Sequence, residues 1–267
     1  MRVAVWQCEP HPLDVEGNLL RLQDALDRAS EQDADVLVVP EMFTTGYDIP
    51  RRDTHRLAEP CGGPTAQRIA ELTVRTGVAV AYGYPERDTD GTVYNSALLV
   101  SDGRTVLRHR KMHLFEDLDR SRFTPGNAPP AVADLRGHRV ALLICYDVEF
   151  PEAVRAAALR GAQVVLVPTA NMAGYEIVSR TLVPARAYEN GVQIAYANYC
   201  GSEGDQDYAG LSVICGPGGA VDTLPAAGEG LLVVEVRDVE GVPPYLADRR
   251  VDLFGPGDPG DPRTTPS

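Results

Sequence analysis

One lysine stands in a chain that otherwise uses arginine for its basic side chains. The sequence has 267 residues and 25 Lys plus Arg, and Lys111 is the single lysine among them. Arginine is a planar, permanently charged fork, whereas lysine is a compact ammonium on a flexible stem that can share a proton. Lys111 is therefore a candidate for work that arginine cannot do. The competing reading is a surviving charge on a solvated strand. Cys145 is the candidate nucleophile. It ends the apolar run RVALLIC and is followed by Tyr-Asp-Val-Glu-Phe-Pro-Glu, with Pro151 placed for the first turn of a helix. A cysteine on such a strand-to-helix turn is expected near backbone N–H groups and the positive end of a helix dipole. Both stabilise a thiolate, and the N–H groups can receive an oxyanion.

Glu41 follows Pro40 at the end of the buried-strand pattern DVLVVP. A carboxylate at the C-terminal end of an apolar strand lies where α/β sites form, and burial raises its pKa toward that of a useful base. Cys8 is the rival nucleophile, but Glu9-Pro10-His11-Pro12 after it leaves no helix behind the thiol. Histidine is the usual base for a cysteine nucleophile, and His109 and His113 flank Lys111 at period two. A Cys–His thiol hydrolase thus stays open, although it leaves the lone lysine without a role. The extended pattern around the two histidines argues against a metal pair, so no metal is expected.

The elements that must carry these residues alternate. Strand patterns fall near 2–7, 35–40, 78–84, 93–100, 104–110, 139–145, 163–168, 192–198, 208–215 and 231–236. Helical patterns fall near 16–31, 65–76, 151–160 and 176–190. Turn signals such as Asp90-Gly91 and Asp102-Gly103 separate hairpin-like strands, so the sheets are expected to be partly antiparallel. No Gly-x-Gly-x-x-Gly opens a helix, which counts against dinucleotide binding. Arg2-Val3-Ala4 leads to Cys8, and Arg139-Val140-Ala141 leads to Cys145 at the same spacing. Each is followed by a helix and then a strand ending in proline, which predicts two related halves. The tail 255–267 is Pro, Gly and Asp with nothing to bury, and is expected to be loose or ordered against a partner subunit.

Composition narrows the partners. A net charge of −13 argues against nucleic acid and mildly favours neutral or cationic small molecules, beyond its ordinary effect on solubility. No apolar run of about 18 residues and no secretory signal are visible, so a cytoplasmic location and no membrane partner are expected. Five scattered cysteines read as free thiols.

Three motifs together resemble the nitrilase, or carbon–nitrogen hydrolase, superfamily. They are Pro40-Glu41-Met42-Phe43 with Thr45-Gly46-Tyr47, Arg110-Lys111-Met112-His113-Leu114-Phe115, and Cys145-Tyr146-Asp147 with Phe150-Pro151-Glu152. Tyr82-Gly83-Tyr84, Tyr94-Asn95-Ser96, Pro168-Thr169-Ala170-Asn171 and Arg186-Ala187-Tyr188-Glu189-Asn190 add to the match. The resemblance implies an α/β fold, a four-layer α-β-β-α sandwich with pseudo-twofold halves, over residues 1–241, with 242–267 as a C-terminal extension. It implies Glu41 as general base, Lys111 as oxyanion stabiliser and proton donor, Cys145 as nucleophile, and no cofactor. It also implies an auxiliary acid soon after the lysine, for which Asp119 is preferred over Asp117, and Tyr146 and Asn171 as oxyanion or substrate-binding residues. The segments LFEDLDR, YGYPERD, PTANM and ANYCG are most similar to the amidase branch containing 5-aminopentanamidase and R-stereoselective amidases. The implied reaction is hydrolysis of a short, amino-substituted aliphatic primary amide, in a homodimer or higher homo-oligomer. Hydrolysis of N-carbamoyl amines or nitriles by the same triad, and a redox-sensing thiol protein without catalysis, are the alternatives.

The lone lysine yields a test from composition alone. If Lys111 is a surface charge, Lys111→Arg should fold and work normally. If it is the oxyanion partner, the variant should melt as wild type does but lose at least about a hundredfold in kcat. A variant retaining more than about a tenth of wild-type kcat removes Lys111 from the machinery.

Overall fold

The computed structural model describes residues 1–236 and 244–254. The first half runs β1 (Arg2–Gln7), α1 (Val15–Ser30), β2 (Val36–Val38), α2 (Arg51–Leu57), α3 (Pro64–Thr76), β3 (Ala79–Arg87), β4 (Val93–Ser101) and β5 (Arg104–Arg110). A short α4 (Glu116–Arg120) leads to β6 (Val132–Leu135), β7 (His138–Leu142), a 3₁₀ turn (Cys145–Glu149), α5 (Pro151–Leu159) and β8 (Val164–Pro168). A π-helical turn (Val178–Leu182) continues into α6 (Val183–Asn190), followed by β9 (Gln193–Ala197), β10 (Ser202–Glu203), β11 (Gln206–Asp207), β12 (Val213–Cys215), β13 (Val221–Thr223) and β14 (Gly230–Glu235). Two short helices, α7 (Pro244–Ala247) and α8 (Val251–Phe254), end the described chain.

The strands form two six-stranded sheets ordered β14-β1-β2-β3-β4-β5 and β13-β12-β9-β8-β7-β6. Reading the second from β6, both have the same pairing: antiparallel, parallel, parallel, antiparallel, antiparallel. Strand β1 thus corresponds to β7 and β2 to β8, which is the symmetry that the Arg-Val-Ala echo predicts. The inner faces meet through Val3, Val5, Val36, Val38, Leu142, Ile144, Val164 and Leu166. The outer face of the first sheet packs on α1 and α3 through Leu22, Leu26 and Ile69. That of the second packs on α5 and α6 through Val154, Ala157, Val183 and Ala187. The result is the four-layer α-β-β-α sandwich. Strands covered on both faces must be apolar throughout, which is why β2 and β8 read VLV and VVLVP.

Several expectations shift in detail. The helix expected over 176–190 starts as a π turn, because Pro184 cannot donate to the preceding turn and its ring crowds it. The strand expected over 208–215 is reduced to Val213–Cys215, because Ser212 spends its backbone N–H on the Gln7 side chain. Helix α2 carries no apolar stripe and buries only Thr54, so it left no period to read. The tail 255–267 and the boundary at 241/242 lie outside the described residues.

One glycine decides how closely the first half can approach its own loop. A Cβ on Gly83, in β3, would lie 2.5 Å from the Met42 nitrogen and 3.0 Å from the Glu41 Cα. The backbone that carries Glu41 therefore rests directly on β3. Gly83→Ala should cost about 1–3 kcal/mol by overpacking, measured by denaturant unfolding. It should also lower kcat by displacing Glu41. A variant with wild-type stability and rate removes this contact from the determinants of the site.

Candidate active site

The candidate residues converge at the C-terminal ends of strands. Glu41 leaves β2, Lys111 leaves β5, Cys145 leaves β7, and Thr169 leaves β8. The two halves are stitched there by the Glu41 N–H, which donates to the Thr169 carbonyl at 3.2 Å. The strand neighbour β4 fixes two of the residues at once. The Asn95 carbonyl accepts the Lys111 N–H at 2.8 Å, and the Asn95 side-chain amide donates to Glu41 Oε1 at 2.6 Å.

Lys111 is fully buried between two carboxylates. Its Nζ lies 2.8 Å from Glu41 Oε1 and 2.6 Å from Asp119 Oδ2. Asp119 also accepts from the Tyr47 hydroxyl and the Phe115 N–H, each at 3.0 Å. Burial pulls the Lys111 pKa down, but Asp119 and Glu41 outweigh it and hold it well above its ordinary value. Burial pushes Glu41 up, and Lys111 only partly offsets this. Among the described residues Glu41 Oε2 is buried with no hydrogen-bond partner, so the carboxylate has one oxygen fixed and one free.

Cys145 is 8% exposed and sits at φ 44°, a left-handed conformation that is strained for a residue other than glycine. Burial first, then Glu41, push its thiol pKa up. Lys111, the Thr169 side chain and the Ala170 N–H act in the opposite direction. The expectation of a helix dipole at the sulfur is corrected here. A 3₁₀ turn intervenes and α5 begins only at Pro151, so the resting group is a thiol that needs a base.

The nucleophile turn is bolted to the lysine segment by Asp147. This buried carboxylate accepts from His109 Nε2 (2.9 Å), His113 Nδ1 (2.8 Å), and the N–H groups of Met112 (3.1 Å), His113 (2.9 Å) and Ile144 (3.3 Å). Burial alone would raise its pKa, but the two histidines hold it well below the usual carboxylate range. Both histidines are thus committed to Asp147, which corrects the alternative of a histidine base for Cys145.

Of the remaining candidates, Asp117 is exposed, and Asp119 alone of the two meets Lys111. The Tyr146 ring packs edge-on against Phe115 and Phe150. The Asn171 side-chain amide donates to the Tyr175 carbonyl at 3.0 Å, and its backbone is clamped by Asn198, so it holds a loop. Cys8 is completely buried beside Tyr199, with its pKa raised mainly by burial. The fully buried Lys111 also rules out the surface-strand reading. It alters one clause of the Lys111→Arg expectation as well: a guanidinium overfills this space, so about 1–3 kcal/mol of stability should go with the rate. Sequence reasoning gave no role to Asn95, Tyr47, Thr169 or Asp147. The signal for Asn95 was a polar pair, Asn95-Ser96, entering an otherwise apolar strand; for Asp147 it was a carboxylate two residues from the thiol.

Comparison with known proteins matches this arrangement. A family model described as carbon-nitrogen hydrolase matches residues 2–242. A "hydrolase in pqqF 5′ region" of Pseudomonas protegens is 46% identical over 260 residues, covering 95% of this chain and 90% of its own. An (R)-stereoselective amidase of a Pseudomonas species is 36% identical, covering 96% of this chain and 93% of its own. A mutant of the amidase from Nesterenkonia sp. AN1, solved in complex with acrylamide, superposes with a TM-score of 0.87 at 38% identity over 95% of each chain. The motif order, the sandwich and these matches agree: the chain belongs to the carbon–nitrogen hydrolase family and is an amidase of the nitrilase-superfamily type with a cysteine active site.

Proposed function

We propose that this enzyme hydrolyses a short aliphatic primary amide bearing an amino group to the carboxylate and ammonia. Cys145 is the nucleophile, Glu41 the base and Lys111 the oxyanion partner. The observation that carries the reading is the divided environment of Glu41. Oε1 is held by Lys111 and Asn95, Oε2 is buried without a hydrogen-bond partner among the described residues, and the charge of the carboxylate acts on the Cys145 thiol. A carboxylate with a raised pKa and one free oxygen suits proton transfer near neutral pH.

In this mechanism Glu41 takes the Cys145 proton as sulfur attacks the amide carbonyl. The Lys111 ammonium and the Tyr146 N–H, on the peptide next to Cys145, hold the oxyanion. Glu41 passes its proton to the departing nitrogen and ammonia leaves, giving a thioester. Glu41 then takes a proton from water as hydroxide adds to the thioester, collapse expels the Cys145 sulfur, which takes the proton back from Glu41, and the acid leaves as carboxylate with its proton passed to the released ammonia. Asp119 keeps Lys111 charged and oriented, and Asn171 shapes the loop beside the site. A redox-sensing thiol is disfavoured, because such cysteines are accessible and acidic, and Cys145 is neither. The amino-amide preference rests on the resemblance of LFEDLDR, YGYPERD, PTANM and ANYCG to the branch containing 5-aminopentanamidase, and on the −13 charge. We also propose a cytoplasmic homo-oligomer; separately, no helix among the described residues is long and apolar enough to cross a membrane.

Two measurements test this. Cys145→Ala should abolish ammonia release while Cys8→Ala keeps most of it, and mass spectrometry of trapped turnover should place the acyl group on Cys145. An adduct on Cys8, or an active Cys145→Ala protein, reverses the assignment. Across a panel of primary amides, N-carbamoyl amines and nitriles, kcat/KM should be highest for an amino-amide such as 5-aminopentanamide. A preference for either of the other classes replaces the substrate reading and leaves the triad in place.

A further inference from the structure

The 3₁₀ turn after the nucleophile ends in a carboxylate that no described residue holds. Glu149 is half-buried, yet its side chain makes no hydrogen bond or ion pair among the described residues. Other half-buried carboxylates are satisfied: Glu59 by Thr65, Asp48 by Arg122 and Glu176 by the Gly174 N–H. Unlike Glu41 Oε2, neither Glu149 oxygen is shut off from water, so the free enzyme presents this carboxylate as an anion that an entering cation can pair with.

The nearby cation is already committed. Arg186 donates one nitrogen to the Glu149 backbone carbonyl at 2.9 Å and another to the Glu189 carboxylate at 3.1 Å. It reaches the Glu149 side chain only through its field, as does Lys111, and neither fully offsets the burial that raises the Glu149 pKa. Lys111 itself is held by Glu41 and Asp119.

The turn also aims Glu149. Side chains three apart on a 3₁₀ helix eclipse one another, so Glu149 lies over Tyr146. Both are half-buried, whereas Cys145 and Val148 face inward. Tyr146 in turn packs on Phe115 and Phe150, and Phe115 meets the exposed Tyr175, so an aromatic wall runs from the turn to the surface. Four steps of about 2 Å separate Glu149 from Cys145, roughly 8 Å of chain. An acyl group of a few methylenes held at the sulfur would bring a terminal group to that carboxylate.

We propose that Glu149 is the anionic subsite of this enzyme and that it pairs with the ammonium of the amide substrate. The proposal rests on the amino-amide hydrolase reading above and deepens it by naming the residue that selects for charge. The unpaired carboxylate in the free enzyme is satisfied when substrate binds. Aromatic rings alongside the methylene chain supply the apolar part of the site, and their faces tolerate a cation. Discrimination comes from the same asymmetry that governs other polar sites: a substrate lacking the ammonium leaves the carboxylate unpaired.

The test compares wild type with Glu149→Gln on 5-aminopentanamide and on pentanamide, its neutral counterpart of equal chain length. The ratio of kcat/KM for the amino-amide over pentanamide should fall at least about tenfold, mainly through KM for the charged substrate. Glu149→Asp should recover part of the ratio. An unmoved ratio, or an equal loss on both substrates, overturns the subsite. A second arm needs no turnover and stands whether or not the variants fold. In wild type, n-pentylamine as its ammonium should slow iodoacetamide alkylation of Cys145 more than pentan-1-ol does, and equal protection by the two overturns the proposal. If no primary amide is turned over, the hydrolytic reading fails, and the alkylation arm repeated on Glu149→Gln still decides the subsite, because the advantage of the ammonium over the alcohol should vanish there.

Discussion

A single ammonium buried between two carboxylates organises this protein. Lys111 has no access to water and lies within hydrogen-bond distance of both Glu41 and Asp119. Taking such charges out of water is costly, and the arrangement is tolerable only because each partner is held in place. Asp119 is anchored by Tyr47 and Phe115, and Glu41 by Asn95. Removing any one group strands the others, so the geometry tolerates little variation. Two acids around one lysine also leave the cluster with a surplus negative charge. That surplus, with burial, supports a Glu41 that is readily protonated and a Lys111 that stays charged.

The fold supplies the convergence. No two of Glu41, Lys111 and Cys145 share a strand, and they come from both sheets. Precision therefore depends on cross-links between strand ends rather than on any one element. Asn95 links Lys111 to Glu41 within the first sheet, Asp147 links the lysine segment to the nucleophile turn, and the Glu41 N–H to Thr169 carbonyl bond joins the halves. Gly83 allows the Glu41 backbone to lie against β3. Each cross-link is buried, so each is strong where it is satisfied and costly where it is broken.

The pseudo-twofold arrangement shows how a symmetric scaffold carries an asymmetric site. Cys8 and Cys145 follow equivalent strands, as do Glu41 and Thr169. Only one member of each pair has the surroundings for the proposed chemistry. Cys145 faces Lys111 and Glu41, whereas Cys8 is enclosed beside Tyr199, with Arg21 and Glu229 as its charged neighbours. The difference comes from what the loops and β5 bring, since the strands themselves are alike.

Much of this was legible in the sequence because it rests on local pattern. Alternation of apolar runs and helical periods located most strands and the larger helices. The Arg-Val-Ala echo exposed the two halves, and the rarity of lysine marked Lys111. What the sequence could not hold was distance between segments far apart in the chain. That Asp119 and not Asp117 meets Lys111, that His109 and His113 serve Asp147, and that the nucleophile turn is 3₁₀ with its thiol enclosed were decided only by tertiary packing. Burial and hydrogen-bond satisfaction are properties of the assembled layers. For the same reason, the Glu149 carboxylate, unpaired among the described residues, became visible only once Arg186 and Lys111 were seen to be held elsewhere.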